Sequence, residues 1–185
     1  MSALPAPIST SIAPHPEPRL EVRDLGSADA HLLEQVHAGL SAQSRYTRYH
    51  GHKPRLSPRD LAALAGADGY DHVALIALED GAAAGVARYI RSNDAPASAE
   101  VAAEIVDRLQ RQGLGGRLLV HLARRAASAG IERFTATVLS EHGLPAALTR
   151  AGWRLRSHDG PTMTLEAEVW TLLSRAASGR VRRLS

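Results

Sequence analysis

The chain has 185 residues, 44% hydrophobic and 22% charged, with a formal net charge of +3, a balance that suits one soluble globular domain. Cysteine is absent, which excludes disulfides, thiolate metal sites and a cysteine nucleophile. The positive excess is too small to point to nucleic acid, no apolar run approaches the roughly 20 residues that cross a bilayer, and no secretory leader is read at the N-terminus; a cytoplasmic protein without membrane or nucleic-acid partners is expected.

Residues 1–18 carry Pro5, Pro7, Pro14, Pro16 and Pro18 among small residues, a composition that cannot bury enough apolar surface to fold and reads as a mobile arm. Leu20 and Val22 alternate with charged residues, as in a short strand. Ser27 or Asp29 then caps a helix with Leu32, Leu33, Val36 and Leu40 on one face. Ser44-Arg45-Tyr46-Thr47-Arg48-Tyr49-His50-Gly51 is polar, aromatic and basic, and is no obvious core element. It reads equally as part of a substrate or cofactor entrance and as a helix end packing its tyrosines inward. Ser57-Pro58 opens a short helix that runs through Ala65 and ends at the glycines Gly66 and Gly69. His72–Glu79 and Gly85–Arg91 flank the turn dipeptide Asp80-Gly81 and predict a hairpin. A further strand is expected from Ala99 to Val106. Leu118, Leu119, Leu122 and Ala126 share one face of a helix from Leu114 to Ala129. The remainder reads as a strand over Phe134–Leu139, a short helix over Pro145–Arg150, a strand after Gly152 and a final strand over Met163–Val169. Residues 19–169 thus form a single α/β domain with a mixed sheet, and 170–185, with Arg175, Arg180, Arg182 and Arg183, read as a basic tail.

Chemistry concentrates at Gln110-Arg111-Gln112-Gly113-Leu114-Gly115-Gly116. A strand ends just before this segment and a helix starts inside it. The first amides of a helix have no internal partners and carry the positive end of its dipole, which suits a pyrophosphate. Gly113, Gly115 and Gly116 remove side chains that would hold phosphate oxygens away from those amides. The Gly-Lys-Ser/Thr of a P-loop does not follow, and the spacing is not that of a dinucleotide fingerprint. His50-Gly51-His52 lacks further ligands at a recognisable spacing and is not read as a metal site.

The segment resembles the Gln/Arg-x-x-Gly-x-Gly/Ala signature of the GCN5-related N-acetyltransferase (GNAT) superfamily, with Gln110, Gly113 and Gly115 in the signature places. Asp80-Gly81 with Gly85-Val86-Ala87-Arg88-Tyr89, Ala99-Glu100-Val101-Ala102, and Phe134-Thr135-Ala136 with Ala151-Gly152-Trp153 are similar, in turn, to the family's second and third strands, its fourth strand, and its fifth strand with the end of its fourth helix. Ser44-Arg45-Tyr46-x-Arg48-Tyr49 resembles the branch that includes bacterial protein acetyltransferases. The resemblance implies a mixed, mostly antiparallel sheet flanked by helices, with a V-shaped splay between the fourth and fifth strands. It implies direct acetyl transfer from acetyl-CoA to an amine, on a small molecule or a protein lysine, without a metal, and it is compatible with a homodimer. By that resemblance the backbone of Ala103 and Ile105 holds pantetheine, and the amides of Arg111, Gln112, Gly113, Gly115 and Gly116 hold the pyrophosphate.

A protonated amine cannot attack a thioester, so the reaction needs a base. Glu100 and Glu104 are the candidates. Being four residues apart they share a face of a regular strand, unless a bulge intervenes. Glu100 is preferred for its place in Ala-Glu-Val-Ala. The tyrosine that the family often supplies as an acid for the leaving thiolate falls near Leu148 here. Its neighbouring asparagine is replaced by Glu141 or His142, and Ser140 and His142 stand as substitute donors. That departure keeps open an alternative, a non-catalytic module that binds acyl-CoA.

Overall fold

The computed structural model describes residues 18–141 and 143–179. Residues 1–17 of the proline-rich arm, His142, and Arg180, Arg182 and Arg183 lie outside the described residues. Seven strands form one sheet: β1 (Leu20–Asp24), β2 (His72–Glu79), β3 (Ala82–Arg91), β4 (Ser98–Ile105), β5 (Arg133–Leu139), β6 (Arg154–Asp159) and β7 (Thr162–Glu168). Their spatial order is β1-β2-β3-β4-β5-β7-β6. Every pairing is antiparallel except β4 with β5.

That parallel pairing is short. It joins Ser98 to Arg133, Ala99 to Phe134 and Glu100 to Thr135, and ends there. Beyond Glu100 the two strands separate, which is the V-shaped splay that the resemblance implies. On its other edge β4 stays in register with β3 from Ala99↔Arg91 to Ile105↔Gly85, without a shift. No bulge therefore intervenes between Glu100 and Glu104, and alternation puts both on one face of the sheet.

The helices are α1 (Ala30–Ala38), α2 (Ala42–Tyr49), α3 (Pro58–Ala65), α4 (Leu114–Ser128), α5 (Ala146–Ala151) and α6 (Val169–Ala177). Helix α1 buries Leu32, Leu33 and Val36 and packs against β3. Helix α4 covers the opposite face of the sheet. There a Cβ on Gly115 would lie 3.8 Å from Ile105, and the Arg91 guanidinium donates to the Ala129 carbonyl at the helix end. Tyr89 and Phe134, both fully buried, meet at 6.0 Å between ring centroids in this layer.

One reading left open resolves, and one segment departs from expectation. The polar stretch before Gly51 is a regular two-turn helix, α2, whose N-cap Ser41 accepts the Ser44 amide. The residues assigned to the start of a basic tail form α6, which buries Val169 and Leu172. The apolar spacing Val169, Leu172, Leu173, Ala176 is helical, and it outweighs Arg175 because only one face of a helix need be apolar.

Candidate active site

Between α2, the splayed half of β4, the start of α4 and β5 lies an open cleft of about 910 Å³. A smaller hollow of about 180 Å³ adjoins it, lined by Ile105, Leu109, Gln110, Arg111, Gly113, Gly115 and Gly116.

The hollow follows from backbone conformation. Arg111 and Gly113 have positive φ, 60° and 84°. Left-handed geometry suits the glycine and is uncommon for the arginine. Gly113 is the N-cap of α4 and supplies no side-chain cap, so the first amides of α4 are left to an external acceptor. Gln110 and Gln112 do not compete for that space. The Gln110 amide donates to the carbonyl of Ile105 at 3.0 Å, to Asp107 at 2.9 Å and to Ser44 at 3.3 Å, and Gln112 donates to the Arg108 carbonyl at 2.8 Å. Both side chains brace the loop, leaving its amides to bind.

The free edge of β4 is equally defined. The amide of Val106 donates to Ala84 on β3. In an antiparallel ladder the backbone groups of successive residues point to alternate sides. Ala103 and Ile105 therefore turn their N–H and C=O toward the gap where β5 has departed. Because Gln110 already occupies the Ile105 carbonyl, that residue offers its N–H alone.

The two glutamates share a face and differ in surroundings. Glu104 is 6% exposed. It accepts the Tyr49 hydroxyl on both carboxylate oxygens, at 3.0 Å each, and lies 3.1 Å from Arg48 Nε. Burial, followed by the Glu104 charge, pushes the Tyr49 phenol well above its ordinary range. Arg48 and Lys53 also sit over the Tyr49 ring, 5.1 and 5.4 Å from its centroid. Tyr49 is the inward tyrosine of α2, whereas Tyr46 is exposed. Glu100 is exposed toward the cleft and makes no hydrogen bond or ion pair among the described residues. It stands on the last rung shared by β4 and β5, at the vertex of the splay.

Arg88, which the sequence reading passes over, lies on the same face. It sits opposite Ala102 on β4, between the rungs of Glu100 and Glu104. Burial and the nearby Arg48 lower its pKa from the ordinary value. The signal available in the sequence is an arginine set among Val86, Ala87 and Tyr89 in an otherwise buried strand.

Leu148 lines the cleft. Ser140 follows β5, with its hydroxyl directed to the Gly160 carbonyl at 3.5 Å, and it does not line the cleft. His50 ends α2 in a left-handed conformation. Among the described residues no group of three or more His, Asp or Glu side chains is placed to hold a metal ion.

The family model of the "Acetyltransferase (GNAT) family" matches residues 37–153. The GNAT domain of S. lividans PAT superposes with a TM-score of 0.72 at 31% identity, covering 80% of this chain and 89% of that one. The paia N-acetyltransferase of Thermoplasma acidophilum, solved in complex with coenzyme A, gives a TM-score of 0.66 at 16% identity over 81% and 99% of the two chains. A phosphinothricin acetyltransferase of Sinorhizobium meliloti, solved with AcCoA, gives 0.64 at 19% identity over 80% and 88%. These last two are similar in fold alone. The matched segment spans α2, the splayed strand and the glycine turn, the parts that build the cleft, and the chain belongs to the GNAT family of acetyltransferases.

Proposed function

We propose that this chain transfers an acetyl group from acetyl-CoA to an amine in the cleft, with Glu100 as the base. The observation that carries this reading is the end of the β4–β5 pairing at Glu100. It leaves an unpaired strand edge running from a free carboxylate to a turn with uncapped amides. The residues fit the donor in three respects. Uncapped amides at Arg111, Gln112, Gly113, Gly115 and Gly116 suit a pyrophosphate. Backbone groups of Ala103 and Ile105 suit an extended amide-bearing arm, as an added strand would be held. A free β4 amide suits the developing oxyanion of a thioester carbonyl.

The donor supplies the acyl group as a thioester. The acceptor arrives as an ammonium ion and passes one proton to Glu100, directly or through water. Its nitrogen then forms a bond to the carbonyl carbon, and the carbon–sulfur bond breaks. The second proton lost by nitrogen balances the departing thiolate, and the proton held by Glu100 returns to solvent. A thiol with a pKa near 8.5 leaves without a dedicated acid, so Leu148 in place of a tyrosine does not disable the step. A free carboxylate in the cleft gives no support to a module without turnover.

Glu104 is assigned a positioning role. Its charge is met by Arg48 and Tyr49, so it anchors α2 to β4. In Glu100→Gln, thiol release from acetyl-CoA in the presence of an amine pool falls at least about 100-fold, with CoA affinity by calorimetry unchanged. Full turnover in that variant across pH 6 to 9 would remove Glu100 from the mechanism.

A further inference from the structure

The plane of the sheet divides the cleft into two unlike halves. On the α2 side its walls are polar, with Arg48, Tyr49, Glu100, Glu104 and Thr137. On the α4 side, alternation along β4 and β5 presents Val101, Ala103 and Ile105 across from Ala136 and Val138, and Leu119 of α4 and Leu148 of α5 complete the wall. Every one of these is apolar. Leu122 of α4, Leu165, which pairs with Ala136 across β5 and β7, and Trp153 lie deeper. They border the cleft yet are 1%, 0% and 3% exposed. The recess therefore narrows to a dry apolar floor, the kind of space that takes an apolar group in place of water.

On the acetyltransferase reading above, the donor's arm lies along the free edge of β4 and its thioester reaches the vertex of the splay, beside Glu100. An acyl group cannot continue in the plane of the sheet from there, because β4 and β5 are paired from Glu100 and Thr135 back to Ser98 and Arg133. It must turn to one face. On the α2 side Glu100 receives the acceptor's ammonium, and a chain lodged there would compete with it. The α4 side opens at Val101 and Ala136, the residues that follow Glu100 and Thr135. Ala136 shares its strand face with Phe134 and Val138, and places only a methyl group where β-branched or aromatic side chains are usual. An acetyl group brings a single methyl to this recess.

We propose that the site takes straight acyl chains longer than acetyl, butyryl among them, with the chain seated on the α4 side between Val101 and Ala136. The inference rests on the acetyltransferase reading and specifies the acyl group of its donor. Ala136 is then a specificity-determining residue. The balance of the reaction is unchanged. The amine nitrogen bonds to the carbonyl carbon, the carbon–sulfur bond breaks, one amine proton passes to Glu100 and the other balances the departing thiolate. Apolar burial drives the selection, so each methylene placed in the recess should tighten donor binding about fourfold.

The test is calorimetric titration of CoA and of acetyl-, propionyl- and butyryl-CoA without acceptor, followed by transfer to an amine pool with the N-acyl products identified by mass spectrometry. Butyryl-CoA, with two more methylenes than acetyl-CoA, should bind roughly 15-fold tighter, and its amide products should form with the higher kcat/KM. Ala136→Leu fills the recess and should bring the butyryl-to-acetyl affinity ratio close to one. Ala136→Val, the smaller change, should lower that ratio part of the way and serves where the leucine variant does not fold. Both readouts are ratios measured on folded protein, so a general loss of stability does not imitate them. Failure of the parent to bind CoA would overturn the acetyltransferase reading itself. With CoA bound, the acyl-chain proposal is overturned by affinity that stays level or falls from acetyl to butyryl, by a butyryl preference that keeps its parental size in the folded Ala136 variants, or by butyryl-CoA that binds and is not transferred.

Discussion

Glu104 has lost nearly all contact with water, and its charge is met by Arg48 and the Tyr49 hydroxyl. Glu100, two pleat repeats away on the same face, has no such partners among the described residues. The sequence shows two glutamates at a spacing that permits one face, but the partners of Glu104 lie 55 and 56 positions earlier, in a helix whose docking no local pattern announces. Their distinct roles lead to opposite mutational signatures. Glu104→Gln removes one member of a buried ion pair and leaves Arg48 uncompensated, which should lower unfolding stability by about 3 kcal/mol in urea titration. Glu100→Gln should leave stability within about 0.5 kcal/mol of the parent, as substitutions of free exposed side chains do, while abolishing most turnover. A Glu104 variant of parental stability would show that the Arg48 pair contributes nothing net.

Helix α2 is the element least legible in the sequence. It has eight residues, buries none of them fully, and therefore lacks the apolar stripe by which α1 and α4 announce themselves. Ser41 is a legible cap only once the helix behind it is known. The ties that hold α2 are tertiary. The Ser41 amide donates to Asp107 at 3.0 Å, Ser44 accepts from Gln110, and Arg48 and Tyr49 reach Glu104. One of these ties comes from Gln110 of the glycine-turn segment and one from Asp107 just before it, so α2 and the loop that leads into α4 are anchored together. Ser41→Ala should cost about 1 kcal/mol, or about 2–4 °C in the thermal midpoint. The Ser41 contacts hold the Asp107 carboxyl below its ordinary pKa, chiefly through the side-chain hydrogen bond, with the backbone amide adding to it. A carboxylate depressed in the native state stabilises the fold above its unfolded pKa, near 3.9, and loses that contribution as pH falls toward the native value. The thermal midpoint should therefore drop less steeply below pH 4 in Asp107→Asn than in the parent, starting from a lower plateau at neutral pH.

At the scale of the whole molecule the sheet is one continuous surface that opens at a single seam, and the closeness of β3 to β4 determines where β4 presents its free edge. The order of strands, the hairpin at Asp80-Gly81 and the turn at Gly113 are legible because glycine, alternation and helical spacing are local signals. The splay is not local. It depends on β5 pairing with β7 along its whole length but with β4 for three rungs only, which no segment encodes alone. Gly85 lies opposite this seam. A Cβ there would come 2.6 Å from Ile105 Cδ1 and 2.8 Å from the Glu104 carbonyl oxygen. Glycine within a strand marks close backbone approach, and here the neighbour that must move is backbone as well as a side-chain tip. Gly85→Ala should push the C-terminal half of β4 toward the gap that its free edge lines. Overpacking of this kind costs about 1–3 kcal/mol, and the displaced amides of Ala103 and Ile105 should weaken CoA binding by roughly tenfold, the equivalent of about 1.4 kcal/mol. Calorimetry on folded protein separates the two effects, since a loss of stability alone would leave the affinity of the folded fraction at its parental value. Parental CoA affinity in folded Gly85→Ala would show that the position of the β4 edge does not govern donor binding.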